Sequence, residues 1–225
     1  MSAPASTLQA GAAVLGCSLT PAQLQGLRDY AALLERWGRV HNLTAVRDAP
    51  RIDVLHLLDS LAVVPGLSRH VSTAGLSSPC LIDVGSGGGL PGVVVAIARP
   101  SWTVSCIDAV AKKVAFVRQV ALELGLQNLS AEHRRVGTGD GHGGADVVVS
   151  RAFAALTEFC AWTRDELAPG GVWCAMKGRV PDDEVAALPD DVDMFHVERL
   201  TVPGLAAERC AVWLRPRRVL MHVPA

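Results

Sequence analysis

The sequence predicts an α/β protein. It reads as one mostly parallel, doubly wound seven-stranded sheet with helices on both faces, an antiparallel carboxyl-terminal edge and an amino-terminal helical extension. Three observations carry this. From Cys80 to Lys177, short apolar runs alternate with stretches of helical periodicity, as parallel strands joined by crossover helices require. The first apolar run leads straight into the glycine-rich turn 85–89. Two strand-like runs, 192–202 and 209–215, close the chain with no helical stretch between them and read as an antiparallel edge pair.

The elements follow in order. Residues 1–19 begin with an Ala- and Ser-rich stretch that has no basic residue ahead of a long apolar run, so they make a poor signal peptide and are expected to form a flexible tail. Thr20-Pro21-Ala22-Gln23 opens a helix: Thr20 and Gln23 have the spacing of a capping box and Pro21 suits the first helical position. Leu24, Leu27, Ala31 and Leu34 repeat at helical spacing up to Trp37-Gly38. After the link His41-Asn42-Leu43-Thr44, Asp48 can cap a second helix that turns Ile52, Leu55, Leu58 and Ala62 inward. Residues 66–79, rich in Ser and Gly, read as a linking loop, which divides an extension over 20–66 from a core over 67–225 within one compact domain. The core reads as strand 80–84, helix 90–98, strand 102–107, helix 111–124, strands 129–134 and 146–150, helix 155–168 and strand 172–177, then an acidic helix over 181–188 before the final pair. Five glycines in the eight positions 137–144 mark a loop.

Composition narrows the function. Half the residues are hydrophobic and 19% charged, which supplies a full core and argues against disorder. A net charge of −1 excludes a blanket polyanion binder, so any nucleic-acid contact needs a local basic patch. The six cysteines include no C-x-x-C pair, and no histidine follows them at ligand spacing, so no metal site is expected. They read as reduced thiols of a cytoplasmic protein. No apolar run reaches the ~20 residues that span a bilayer, and a monomer is the default expectation.

Cys80-Leu81-Ile82-Asp83-Val84-Gly85-Ser86-Gly87-Gly88-Gly89-Leu90-Pro91-Gly92 is the most informative segment. A buried strand that ends in glycines and leads into a helix marks a nucleotide site. Gly87 to Gly92 also satisfies the dinucleotide pattern G-x-G-x-x-G, which alone is weak. Asp108 closes the second strand, where its carboxylate can accept from ribose hydroxyls, whichever nucleoside is bound. Three features favour S-adenosylmethionine over NAD. Asp83 suits a ligand that carries ammonium and sulfonium charge and suits a pyrophosphate badly. The chain leaves no room for the separate substrate domain of a dehydrogenase. The antiparallel closing pair is common in S-adenosylmethionine-dependent methyltransferases of the class I, Rossmann-like fold. Asp83, Gly85, Gly87, Gly89 and Asp108 are therefore the candidate cofactor residues. An NAD(P) oxidoreductase and a binding module without turnover remain as rival classes.

Further segments carry a resemblance. Trp37 to Asp48, His56-Leu57-Leu58-Asp59-Ser60, Ile82 to Gly92, Ser150-Arg151-Ala152-Phe153-Ala154 and Met176-Lys177-Gly178 resemble the RsmG (GidB) family of bacterial 16S rRNA guanine-N7 methyltransferases, from about Pro21 to Leu214. The resemblance implies methyl transfer from S-adenosylmethionine to N7 of a guanine in the 530 loop of 16S rRNA, in the 30S subunit or its precursor. It implies that Gly85 and Leu90 touch the cofactor, that Val136 and Gly137 line its adenine side and that Arg151 sits at the cofactor and RNA face. Many members carry an acidic residue where this chain has Gly137, which leaves the backbone alone to meet adenine.

The residues agree with that chemistry. The Asn- or Asp-Pro-Pro-aromatic box of exocyclic-amine methylases is absent, and Ser150-Arg151-Ala152-Phe153 stands in its place. Guanine N7 offers a lone pair without losing a proton, so no general base is expected. Arg151 is a candidate for positioning. Cys80 precedes the first strand, far from the ligand end, and reads as core rather than nucleophile. Of the basic residues near strand ends, Lys112 and Lys113 read as solvated charges, whereas Arg151, Lys177 and Arg135 are the candidate RNA contacts. His56 and Asp59 share a helix face and read as a mutual hydrogen bond, and Trp37 as a core anchor.

Overall fold

The computed structural model describes residues 7–41, 49–139 and 141–217. Strands β1 (Cys80–Val84), β2 (Thr103–Asp108), β3 (Leu129–His133), β4 (Ala145–Arg151) and β5 (Leu167–Lys177) run parallel. Strand β7 (Arg209–Pro216) lies antiparallel to β5 and to β6 (Val192–Leu200). The order is β3-β2-β1-β4-β5-β7-β6. The connections reverse direction between β1 and β4, which opens a crevice at the carboxyl ends of those strands.

Helices α1 (Thr7–Val14), α2 (Pro21–His41), α3 (Ala49–Ile52), α4 (Asp59–Leu61), α5 (Val64–Thr73), α6 (Gly92–Ala98) and α7 (Ala111–Glu123) pack on one face. There Leu8, Leu27, Leu67, Val94 and Phe116 share one apolar cluster with Leu81 and Val104 of the sheet. Helices α8 (Leu156–Thr163) and α9 (Asp182–Ala186) cover the other face, where Phe159 packs with Ile82 and Trp173. The alternation of Leu81 and Ile82 between the two clusters follows from the two-residue period of a strand. Among the described residues no helix is long and apolar enough to cross a membrane. The six cysteines are free thiols.

The capping box forms as read: the Thr20 amide donates to Gln23 Oε1 at 2.8 Å and the Gln23 amide to Thr20 Oγ1 at 3.2 Å. Trp37 packs against Phe116 at 5.3 Å between ring centroids. Several expectations need correction. The tail over 1–19 is not loose where it is described, because α1 buries Leu8 and Ala12, and Cys17 behind it is buried too. The loop expected over 66–79 is helical as far as Thr73: Pro65 starts the turn, and Val64, Leu67 and Val71 bury one face at helical spacing. Ser68 sends its hydroxyl back to the Val64 carbonyl at 2.8 Å, so it does not compete for the helix amides. A boundary at 66/67 would therefore cut α5.

The second helix of the extension is not regular. Asp53–Leu58 form a π-helical turn between α3 and α4. The wider turn moves Leu57 into the core and leaves Leu55 half-buried, against the inward position expected for Leu55. The helix expected over 155–168 ends at Thr163, in a 3₁₀ turn over Arg164–Glu166, because Pro169 cannot continue it. Strand β5 then starts at Leu167. Asn42-Leu43-Thr44 and the expected cap Asp48 lie outside the described residues.

Candidate functional site

The glycine turn follows β1 at the crevice. Gly85 takes φ +64° and donates its amide to the Ile107 carbonyl at 2.8 Å. A methyl there would collide with the Phe153 ring, which folds back over the turn. The chain makes that return at Ala152, whose φ of +56° is the one positive value at a non-glycine among the described residues. Such a conformation costs an L-residue ~1–3 kcal/mol and is found where a site over-determines the backbone.

Side chains from three directions brace the turn. Asp108, at the end of β2, accepts the Gly87 amide on Oδ2 at 2.9 Å and the Val110 amide on Oδ1 at 2.8 Å. Tyr30, fully buried in α2, donates its hydroxyl to the Gly88 carbonyl at 2.6 Å. Asp83, also fully buried, accepts the Gly92 amide on Oδ2 at 2.7 Å, while Oδ1 has no partner. Burial pushes the Asp83 carboxyl up to about 7, against the Gly92 hydrogen bond and the more distant Arg151 charge, which pull it down.

A cleft of about 460 Å³ opens beside the turn. Gly85, Asp108, Ala109 and Val136 line it together with two aromatic side chains, Phe153 and Trp162. Lys113 approaches Asp108 Oδ2 at 3.6 Å, and Arg135 stands exposed at the rim. Arg134 is committed elsewhere, with its guanidinium bidentate on the buried Glu166 at 2.6 and 2.9 Å.

A second cleft, of about 430 Å³, lies across Ala152, which lines both. Its walls bring together His56 and Asp59, Arg151, Met176 and Lys177, and Arg209. Asp59 is buried and each of its oxygens holds one arginine, Arg151 Nη1 at 2.9 Å and Arg209 Nε at 2.7 Å. Arg151 also donates to the Leu55 carbonyl at 3.0 Å. Lys177 donates to the Ala154 carbonyl and to Glu184, both at 2.8 Å.

The structure thus divides the expected residues. Gly85, Asp108, Val136 and Arg135 line the first cleft. Gly87 is tied to Asp108, Gly89 packs on Val93 and Val117, and Leu90 is buried in the turn. Asp83 lies beneath the turn rather than on the cleft wall, so it braces the loop instead of presenting an open carboxylate. Gly137 backs onto Trp162. Arg151 and Lys177 line the second cleft, and Lys177 has its charge engaged by α9. The expected His56–Asp59 hydrogen bond is not formed; each Asp59 oxygen accepts from an arginine instead. Burial and the Arg151 charge together lower the His56 pKa, and its Nδ1 lies 3.0 Å from the Leu55 carbonyl. Cys80 sits at the opposite end of β1 from the clefts, where burial raises its thiol.

The family model for GidB, rRNA small subunit methyltransferase G, matches residues 23–212. The chain belongs to this family. A ribosomal RNA small subunit methyltransferase G of Acidovorax sp. (strain JS42) is 58% identical over 214 residues, covering 93% of this chain and 94% of the relative. One from Polaromonas sp. is 54% identical over 209 residues, covering 92% of each. Among solved structures, a ribosomal protein L11 methylase from Lactobacillus delbrueckii subsp. bulgaricus matches with TM-score 0.54 at 15% identity, over 71% of this chain and 79% of that one. A SAM-dependent methyltransferase from Aquifex aeolicus matches with TM-score 0.52 at 16% identity, over 74% and 93%. These two show a shared fold: the methyltransferase sheet, with its antiparallel edge, is the one expected.

Sequence reading did not single out Tyr30, Phe153, Trp162 or Arg209 at either cleft, and it paired Asp59 with His56 rather than with arginine. Phe153 and Asp59 stand inside quoted motifs, yet nothing local showed which way they turn. Tyr30 and Trp162 occupy helical positions that read equally well as core.

Proposed function

We propose that this chain transfers the methyl group of S-adenosylmethionine to N7 of a guanine in the 530 loop of 16S rRNA, in the 30S subunit or its precursor. It would act as a cytoplasmic monomer. The observation that carries the cofactor reading is the bracket of Gly87 by Asp108 at the mouth of a cleft of about 460 Å³, within the ~300–1,000 Å³ typical of small-ligand sites. Family membership supports the rRNA substrate.

The residues present fit the cofactor. Asp108 has lone pairs left for two ribose hydroxyls after accepting two amides. Asp83, buried beneath the turn, would act on the cofactor through the loop that it braces. Gly85 and Leu90 would shape the turn around it, and Val136 and Gly137 would meet the adenine side through backbone groups. When bound, the cofactor supplies a sulfonium-activated methyl group. Its carbon–sulfur bond would break as guanine N7 took the methyl group, with positive charge passing from sulfur to the purine. No proton leaves the base, so no residue here has to act as a general base. No net charge develops, so no oxyanion-type device is needed. The protein's task is alignment, which can supply ~7–11 kcal/mol. Arg151, with Lys177 beside it, would position the nucleotide in the second cleft, and exposed Arg135 would meet the RNA backbone at the rim of the first.

The test is methyl transfer from labelled S-adenosylmethionine to 30S subunits that lack the modification, with the labelled nucleotide mapped. Label on N7 of one 530-loop guanine, lost in Arg151→Ala, is expected. Transfer to another nucleotide or another atom would overturn the assignment.

A further inference from the structure

We propose that Trp162 is the platform on which the base of the cofactor stacks, and that position 137 is glycine because Trp162 occupies its side-chain space. This rests on the cofactor reading above and goes beyond it by naming what recognises the base.

Among the described residues whose side chains line the first cleft, Asp108 is the one carboxylate, and no amide or hydroxyl side chain joins it. Asp108 is therefore where ribose hydroxyls are held; the other charged side chains are Lys113, which approaches Asp108, Arg134, which is bound to Glu166, and Arg135. For a base the cleft offers the apolar surface of Val136 and the indole of Trp162. Trp102, Trp173 and Trp213 are buried, whereas Trp162 is 42% exposed. A tryptophan left open inside a cleft lacks the burial that would make it a core residue.

The indole is also held still. Phe153 meets it edge to face, 5.9 Å between centroids at 79°, and Phe153 itself rests on Gly85. Gly137 stands against the indole as well. A Cβ built there would lie 3.1–3.2 Å from three atoms of Trp162, and the backbone φ of +83° is one that L-residues rarely adopt. Phe153, itself on the glycine turn, and Gly137 therefore both hold the indole in place at the cleft, which Val136 also lines. An aromatic platform contributes ~1–3 kcal/mol to a stacked base.

The experiment is calorimetric titration of the full-length protein with S-adenosylhomocysteine, paired with tryptophan fluorescence. Trp162→Ala is expected to raise Kd roughly ten- to a hundred-fold, and Trp162→Phe to restore it to within a few-fold. In Trp162→Phe the ligand-induced fluorescence change should disappear although binding persists, a result that a merely structural role would not give. Gly137→Ala should weaken binding in the wild-type background and cost distinctly less in Trp162→Ala. An unchanged Kd in Trp162→Ala, or a full fluorescence change in Trp162→Phe, overturns the platform. An equal loss from Gly137→Ala in both backgrounds overturns its link to position 137. Failure of the wild type to bind S-adenosylhomocysteine removes the cofactor reading and this inference together.

Discussion

Asp83 and Asp59 are both buried carboxylates, one beneath the glycine turn and one in the wall of the second cleft, and the fold treats them in opposite ways. Asp59 lies between two guanidinium groups, at 2.7 and 2.9 Å, that reach it from β4 and β7. Asp83 has one backbone amide and an unpartnered oxygen, and burial lifts it to about 7. The first arrangement is complete in itself and fixes two donors at the mouth of a cleft. The second is incomplete, with one carboxylate oxygen left without a partner beneath the glycine turn. A paired buried charge organises neighbours, whereas an unpaired one costs stability unless a ligand supplies its partner.

The largest effect expected from this contrast is on pH dependence. A carboxyl whose folded pKa is raised from 3.8 to about 7 binds protons more tightly in the folded state. Its contribution is fully present below the unfolded pKa and is lost as pH rises through about 7, amounting to roughly 4 kcal/mol. Urea unfolding of the ligand-free protein between about pH 5 and 8 should show wild-type stability falling relative to Asp83→Asn. Parallel profiles would break the contrast. Asp59→Ala should come next. It strands two cations and should cost about 3 kcal/mol by denaturant unfolding, the low end for a buried pair because both arginines are partly exposed to water. Transfer should fall about a hundred-fold or more while S-adenosylhomocysteine binding stays within a few-fold, because misplaced substrate groups cost catalysis steeply. Equal loss of both would mean that the two clefts are one.

Tyr30→Phe sharpens the comparison from the cofactor side. It removes the buried donor from the Gly88 carbonyl and should cost ~1–3 kcal/mol in thermal unfolding, with a several-fold weaker cofactor. An unchanged melting temperature would show that α2 does not hold the turn. The smallest effect is expected at Lys112, exposed at the start of α7, where substitution by Ala should stay within ~0.5 kcal/mol and leave RNA affinity nearly unchanged.

The two clefts also differ in how far the sequence disclosed them. That Gly85, Gly87 and Asp108 come together was legible because strand end, turn and next strand end fall within a few dozen residues. Asp59 and Arg209 meet across 150 positions, and no short pattern joins them. The mostly parallel sheet followed from alternation, whereas the π-helical turn over Asp53–Leu58 did not, since a 3.6-residue period has no place for its extra residue. Helix α5 was hidden by its Ser and Gly content, although the stripe of Val64, Leu67 and Val71 was present to be read. Asp83 was legible as a site residue but not as a buried one, because sequence spacing does not say which side of a loop a carboxylate occupies.

The central claim is a division of labour across Ala152, with cofactor on the Asp108–Trp162 side and acceptor on the Asp59–Arg151 side. A crystal structure with S-adenosylhomocysteine tests it most directly. The account predicts the ribose on Asp108, the base against Trp162 and the second cleft left free of ligand. Adenosine density among Asp59, Arg151 and Arg209 would contradict it.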